Sequence, residues 1–108
     1  MEMALVDMTM KNREKAEKIG STLVQERLAA CVNIIDGMKS IYFWEGKLEE
    51  TNETVLIAKT RMSLSRDITV EVKKCHSYQC PAILVIPIQG GNPDFLKWVF
   101  ENTSEEND

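Results

Sequence analysis

One histidine, three cysteines without CxxC spacing and aromatic residues at only 6% mark this 108-residue chain. A single histidine cannot complete a closed four-ligand zinc site within one copy when Cys31, Cys75 and Cys80 fall in or beside separate elements. The odd cysteine count also argues against a disulfide framework and points to free thiols in a reducing compartment. Long apolar runs are missing too. The first, Ala4 to Val6, is too short for a signal peptide or a membrane span and has no basic region before it. The chain therefore reads as soluble, unexported and cytoplasmic, with no membrane partner. No basic stripe is present, so nothing in it suggests nucleic acid.

The length fits one small domain, residues 1–100, with an ordinary hydrophobic fraction of 44%. Net charge is -4, and four of the 17 acids (Glu101, Glu105, Glu106 and Asp108) lie beyond the last base, Lys97. The remaining 13 acids match the 13 bases, so the body is neutral and residues 101–108 read as a short acidic tail that frays.

Met3 to Met8 is apolar apart from Asp7 and has the length of a first strand. Asn12 is placed to cap a helix, with Glu14 in its first turn, and Ala16, Ile19, Leu23, Val24 and Arg27-Leu28 recur at helical spacing. Ala30 to Ile35 is β-branched and apolar. Asp36-Gly37 then predicts a bulge or bend as readily as a turn, and Ser40 to Trp44 continues extended. Glu45-Gly46 is the better reversal, with Glu53 to Thr60 as the returning strand of a long, bent hairpin. Ser63 is placed to cap a second helix carrying Leu64, Ile68, Val72 and Cys75. Pro81 ends that pattern, Ala82 to Ile86 reads as a strand, and Asn92-Pro93 opens a short third helix whose Phe95, Leu96, Val99 and Trp98 face the body.

Strand, helix, strand, strand, helix, strand plus a terminal helix is the ferredoxin-like α+β plan, a four-stranded antiparallel sheet with two helices on one face. Yet Val32 to Ile35 and Ile83 to Ile86 are apolar at consecutive positions, the pattern of strands buried on both sides. The second face then needs a cover, and neighbouring subunits, with the hairpin as a reaching arm, fit better than a loop.

Cys75-His76 pairs a thiol with an imidazole, donors suited to copper or zinc. The plainer reading makes Cys75 core at a helix end and has His76 cap the last carbonyls. Cys31, between Ala30 and Val32, reads as a small buried hydrophobe, and Cys80 as a loop thiol. A nucleophilic Cys-His pair has no accompanying local motif, so the chain does not read as an enzyme. Tyr42, Phe43 and Trp44 beside Glu45-Gly46-Lys47 form an aromatic cluster. It fits subunit anchoring first, and second an aromatic floor where Lys47 and Lys59 hold an anionic small molecule. Gly90-Gly91 lacks the surroundings of a phosphate loop and reads as a turn.

Several stretches together, in order and spacing, resemble the CutA divalent-cation-tolerance family: Glu26 to Ile35, Ser40 to Lys47, Lys59-Thr60, His76-x-Tyr78-x-x-Pro81, Ile83 to Pro87, and Phe95-Leu96-x-Trp98. The resemblance implies a non-enzymatic ferredoxin-like subunit in a tight trimer similar to PII signalling proteins, taking part in tolerance of copper or other divalent ions. It requires no obligatory cofactor. It places a copper site at Met8, Cys75 and His76, a soft set suited to Cu(I). The PII likeness implies as an alternative a small anion in clefts between subunits, with Tyr42, Trp44, Lys47, Lys59, Tyr78 and Trp98 as candidate lining. The chain departs from the family pattern at Ser77, Gln79 and Ala82, where proline or acids are usual, and at Met10-Lys11. Lost carboxylates weaken the case for a hard-cation site.

Overall fold

A computed structural model describes residues 2–76, 78 and 81–104. Its elements run β1 (Met3–Met10), α1 (Arg13–Gln25), β2 (Cys31–Trp44), β3 (Lys47–Arg61), α2 (Ser65–Cys75), β4 (Ile83–Ile88) and α3 (Pro93–Glu101). The four strands form one antiparallel sheet in the order β2-β3-β1-β4, as the ferredoxin-like plan requires.

Side-chain alternation divides the sheet into two faces. Val6, Met8 and Met10 of β1 and Leu56 and Ala58 of β3 meet Ala16, Ile19 and Leu23 of α1 and Ile68 and Val72 of α2 in the main core. Asn12 caps α1 as its sequence position predicts, accepting from the Lys15 amide at 2.8 Å. The helix stops three residues earlier than its apolar spacing, which runs to Leu28, suggests. Arg27 takes a left-handed φ of 62° while its amide and that of Leu28 donate back to Val24 and Leu23, a Schellman closure with arginine where glycine is usual. The crossing to β2 is then fastened to β3, with Thr60 Oγ1 donating to the Leu28 carbonyl and the Ala30 amide to the Lys59 carbonyl. Val24, expected in the core, is 36% exposed. Ser63 does not cap α2: a 3-10 turn over Met62–Leu64 leads in, and the Ser65 hydroxyl bonds the Met62 carbonyl.

The hairpin is long and bent. Ile35 pairs with Val55 but Met38 with Glu53, so Asp36 and Gly37 together oppose Thr54 as a bulge. Asp36 Oδ1 holds it, accepting from the Gly37 amide and Thr54 Oγ1. At the tip Glu45 and Gly46 have φ of 51° and 80°, the paired left-handed conformation of a type I′ turn. A left-handed glutamate is strained there, whereas asparagine tolerates the conformation. Glu45→Asn is expected to raise stability by about 0.5 kcal/mol in urea denaturation, and Gly46→Ala to lower it by about 1 kcal/mol.

The second face is partly covered by this chain's own helix. Met3 of β1, Ala30 and Val99 of α3 form a small second core with Ile88, Leu96 and Phe100 around it. Phe95 and Trp98, expected to face inward, are each 42% exposed; Val99, at 2%, with Leu96 and Phe100 provides the packing face.

Glu101 is the last residue of α3, and the amides of Asn102, Thr103 and Ser104 donate to the carbonyls of Trp98, Phe100 and Arg27. The α3 last turn has no basic residue of its own, and Arg61 supplies one from β3. Its guanidinium donates to Thr103 Oγ1 at 2.7 Å and to the carbonyls of Phe100 and Thr103 at 2.7 and 2.8 Å, and lies 3.7 Å from the Phe100 ring centre. The Ser104 amide bonds the Arg27 carbonyl. Residues 105–108 of the acidic tail lie outside the described residues.

Candidate functional site

Beyond the reach of α3, the second sheet face carries cross-strand rows Asn33-Ile57-Asp7-Leu84 and Ile35-Val55-Thr9. Ile35, Leu84 and Ile86 are 53%, 61% and 43% exposed, an unusually apolar open surface with Asp7 in its midst. Chemistry gathers at the two ends of this surface.

At the arm end the organiser is His76. Its amide closes α2 by donating to the Val72 carbonyl, but its ring does not turn back to the helix end as the sequence suggests. An amide can only donate, so Nδ1, 3.0 Å from the Tyr78 amide, is an acceptor. The ring proton is therefore on Nε2, which donates to the Thr9 carbonyl at 2.7 Å. The ring also meets Tyr78 edge-on, with centroids 4.7 Å apart. So positioned, Tyr78 donates its hydroxyl proton to Glu53 Oε2 at 2.5 Å, and Glu53 is only 7% exposed.

Burial first, then the hydrogen bond and charge of Glu53, then Tyr42, push the Tyr78 phenol well above its ordinary pKa of 10.0. Below that value folded and unfolded chains both hold the proton. Above it the unfolded chain releases it and the folded chain does not, so stability falls as pH rises. In Tyr78→Phe this alkaline slope disappears, while at pH 8 the variant loses about 1–2 kcal/mol because Glu53 loses its donor. Urea midpoints at pH 8 and 11 check both effects.

At the other end Lys59 Nζ lies 5.4 Å above the Phe95 ring, which stacks on Trp98 at 5.7 Å. The six residues assigned to a cleft thus occupy three places in one copy: Tyr42 and Tyr78 at the arm base, Trp44 paired with Lys47 at the tip, and Lys59 with Trp98 beside α3.

Met8, Cys75 and His76 are differently disposed. Met8 is 1% exposed within the core, Cys75 is exposed rather than core, and both His76 ring nitrogens are engaged. Among the described residues no group of three His, Cys, Asp or Glu side chains could hold a metal ion. Cys31 is half-buried and free, and Cys80 lies outside the described residues.

Sequence reading passed over Glu53, Thr51 and Arg61 as site residues. Their signal is phase: Thr51, Glu53, Lys59 and Arg61 share the alternation of Val55 and Ile57, which puts polar and charged side chains in line with an apolar stripe of β3.

These features define a ferredoxin-like α+β protein with a projecting hairpin arm, a terminal helix clasped by a buried arginine and an uncovered apolar sheet face. The family model described as CutA1 divalent ion tolerance protein matches residues 4–102, and the chain belongs to that family. Its description is of a tolerance protein, not of an enzyme. The chain is 43% identical over 99 residues to "Protein CutA, chloroplastic" of Arabidopsis thaliana, covering 92% of this chain and 54% of that protein. It therefore spans about half the length of that relative. The crystal structure of CutA1 from Oryza sativa superposes with a TM-score of 0.94 at 40% identity, covering 97% of this chain and 96% of that one. The "periplasmic divalent cation tolerance protein CutA" from Archaeoglobus fulgidus gives 0.90 at 41% identity, covering 93% and 97%.

Those names correct the cytoplasmic expectation, since relatives are chloroplastic or periplasmic. A short first apolar run carries no information on compartment. Among the described residues no helix is long and apolar enough to cross a membrane.

Proposed function

We propose that the protein acts in divalent-cation tolerance as a homotrimer whose copies bury the open sheet face against one another. The exposed apolar surface around Ile35, Leu84 and Ile86 carries this reading. The two ends of that face differ, one with Lys59 and the other with Glu53, which favours a head-to-tail interface that closes into a ring. The number three comes from the family resemblance. Multi-angle light scattering is expected to give three times the chain mass, and a monomeric mass would remove the proposal.

Copper is the proposed ion. Cys75 offers a surface thiol at the end of α2, with His76 next to it; recruiting His76 requires its ring to leave Thr9 or Tyr78, and Met8 requires the core to open. Calorimetric titration of the reduced protein with Cu(I) is expected to show a site weakened at least tenfold in Cys75→Ser and His76→Ala. Binding no tighter than about 1 mM for Cu(I) and Zn(II) would exclude direct metal contact.

A second reading, a small anion beside α3, is favoured by Lys59 over the Phe95-Trp98 stack. Thermal shift with anionic metabolites tests it, because a ligand of the folded state raises apparent stability.

A further inference from the structure

At the base of the arm, Met38, Ser40 and Tyr42 of β2 face Glu53, Thr51 and Glu49 of β3 in consecutive cross-strand pairs. Tyr78 closes over this surface to reach Glu53. Glu53 is more than nine-tenths buried, and its one partner among the described residues is a neutral phenol bonded to Oε2. No described lysine or arginine lies within ion-pair distance of it. Two residues along the same strand face, Thr51 Oγ1 is occluded from solvent and has no hydrogen-bond partner. Glu49, half-buried, adds a second negative charge one pair further out.

A buried carboxylate without a countercharge costs several kcal/mol, which a positive group placed at the free oxygen would offset. We propose that Glu53, Thr51, Tyr42 and Tyr78 form a binding site for an organic cation, a primary ammonium or a guanidinium group. Glu53 Oε1 accepts the charge-assisted hydrogen bond, Thr51 Oγ1 accepts a second, and the two tyrosine rings provide walls for the cation. A divalent metal fits this composition less well, because among the described residues no group of three His, Cys, Asp or Glu side chains comes together here and the remaining oxygens are those of neutral hydroxyls. The site's charge is opposite to that of the anion cleft to which the sequence assigned Tyr42 and Tyr78.

The same chemistry has two sources: a free small amine or guanidine, or a basic side chain of a second copy. Lys59 is the candidate in the second case, being half-buried on the same sheet face with no carboxylate partner among the described residues. It lies six residues along β3 from Glu53, roughly 20 Å, so one copy cannot make this pair by itself. Only this second source rests on the proposed trimer.

Methylguanidine and butylamine are titrated calorimetrically into the parent protein, Glu53→Gln and the Leu84→Lys variant, with the mass of each determined by light scattering. Glu53→Gln keeps the side-chain shape and an acceptor for Tyr78, so the fold is retained. Binding to the parent at about 1 mM or tighter, weakened at least tenfold in Glu53→Gln, establishes the free-cation source. Binding confined to a monomeric Leu84→Lys protein, together with weaker assembly in Glu53→Gln and Lys59→Met, establishes the side-chain source. No binding to any form, or binding indifferent to Glu53→Gln, overturns the proposal. So does equal or tighter binding of magnesium at the same residues. A parent protein that is monomeric and still binds methylguanidine defeats the trimer while leaving the site intact.

Discussion

Leu84→Lys is expected to convert the protein to a monomer at micromolar concentration, with the circular dichroism of the parent retained. Leu84 is 61% exposed, so in the isolated chain the lysine stands in water and the fold is not taxed. In the proposed trimer three ammonium groups would be buried near Ile57, each opposite an Asp7 whose charge offsets only part of the desolvation. Desolvating each costs several kcal/mol. With about 1.4 kcal/mol to each tenfold, association weakens by more than about a hundredfold. Light scattering across a dilution series reads the result. Leu84→Ala serves as the control: it removes apolar area worth about 1–2 kcal/mol per copy and shifts the dissociation midpoint without abolishing assembly. A Leu84→Lys protein of unchanged mass would show that this face is covered by something else or not at all.

The second large effect lies at Arg61. Arg61→Ala is expected to lower the unfolding free energy by roughly 3 kcal/mol, because two carbonyls and the Thr103 hydroxyl lose a charged donor and the Phe100 ring loses its cation. Arg61→Lys recovers only part of this, since one ammonium cannot reproduce the planar fork that spans Thr103 and Phe100. Urea denaturation at one fixed protein concentration gives the energies, the concentration being held because oligomers gain stability by mass action. Hydrogen exchange localises the change. The Asn102, Thr103 and Ser104 amides, bonded to Trp98, Phe100 and Arg27, are expected to exchange faster while β1 and β3 amides stay protected.

Local rules carried much of this architecture. Asn12 and Asn92 cap their helices through their own side chains, so the signal lies within three residues and is read without tertiary knowledge. Glu45-Gly46 and the Asp36-Gly37 irregularity are equally local, although the sequence alone left the latter open between bulge, bend and turn. Arg27 and Ser63 show where such rules fail. Arginine has no intrinsic preference for a left-handed position and adopts it because the chain must turn from α1 onto β3. Ser63 has the composition of a cap, but it lies inside the 3-10 turn Met62–Leu64 that follows directly on the last residue of β3, Arg61, and Ser65 takes the hydroxyl bond instead.

The candidate sites were less legible because their partners are remote. Nothing near His76 announces that its ring nitrogens are satisfied by the Thr9 carbonyl and the Tyr78 amide, one of them 67 positions away. Cys75 was assigned to the core by helical period, yet it occupies the last residue of α2, where the packed face has already run past the sheet. That α3 covers part of the second face depends on the angle at which its short connection leaves β4, which composition does not encode. The charged phase of β3 was readable, and it would have exposed both Glu53 and Arg61.

The clasp at Arg61 also bears on time. It joins positions 42 residues apart, and the neighbouring Arg27 to Asn102 contact joins positions 75 apart. The clasp needs the end of β3 seated in the sheet and the last turn of α3 already formed, so it is made after the sheet and its helices have organised. Interactions absent from the folding transition state govern the unfolding rate and leave the folding rate nearly unchanged. Arg61 thereby sets how long a folded copy persists rather than how quickly it forms, and stopped-flow chevrons of Arg61→Ala are expected to change in their unfolding limb alone.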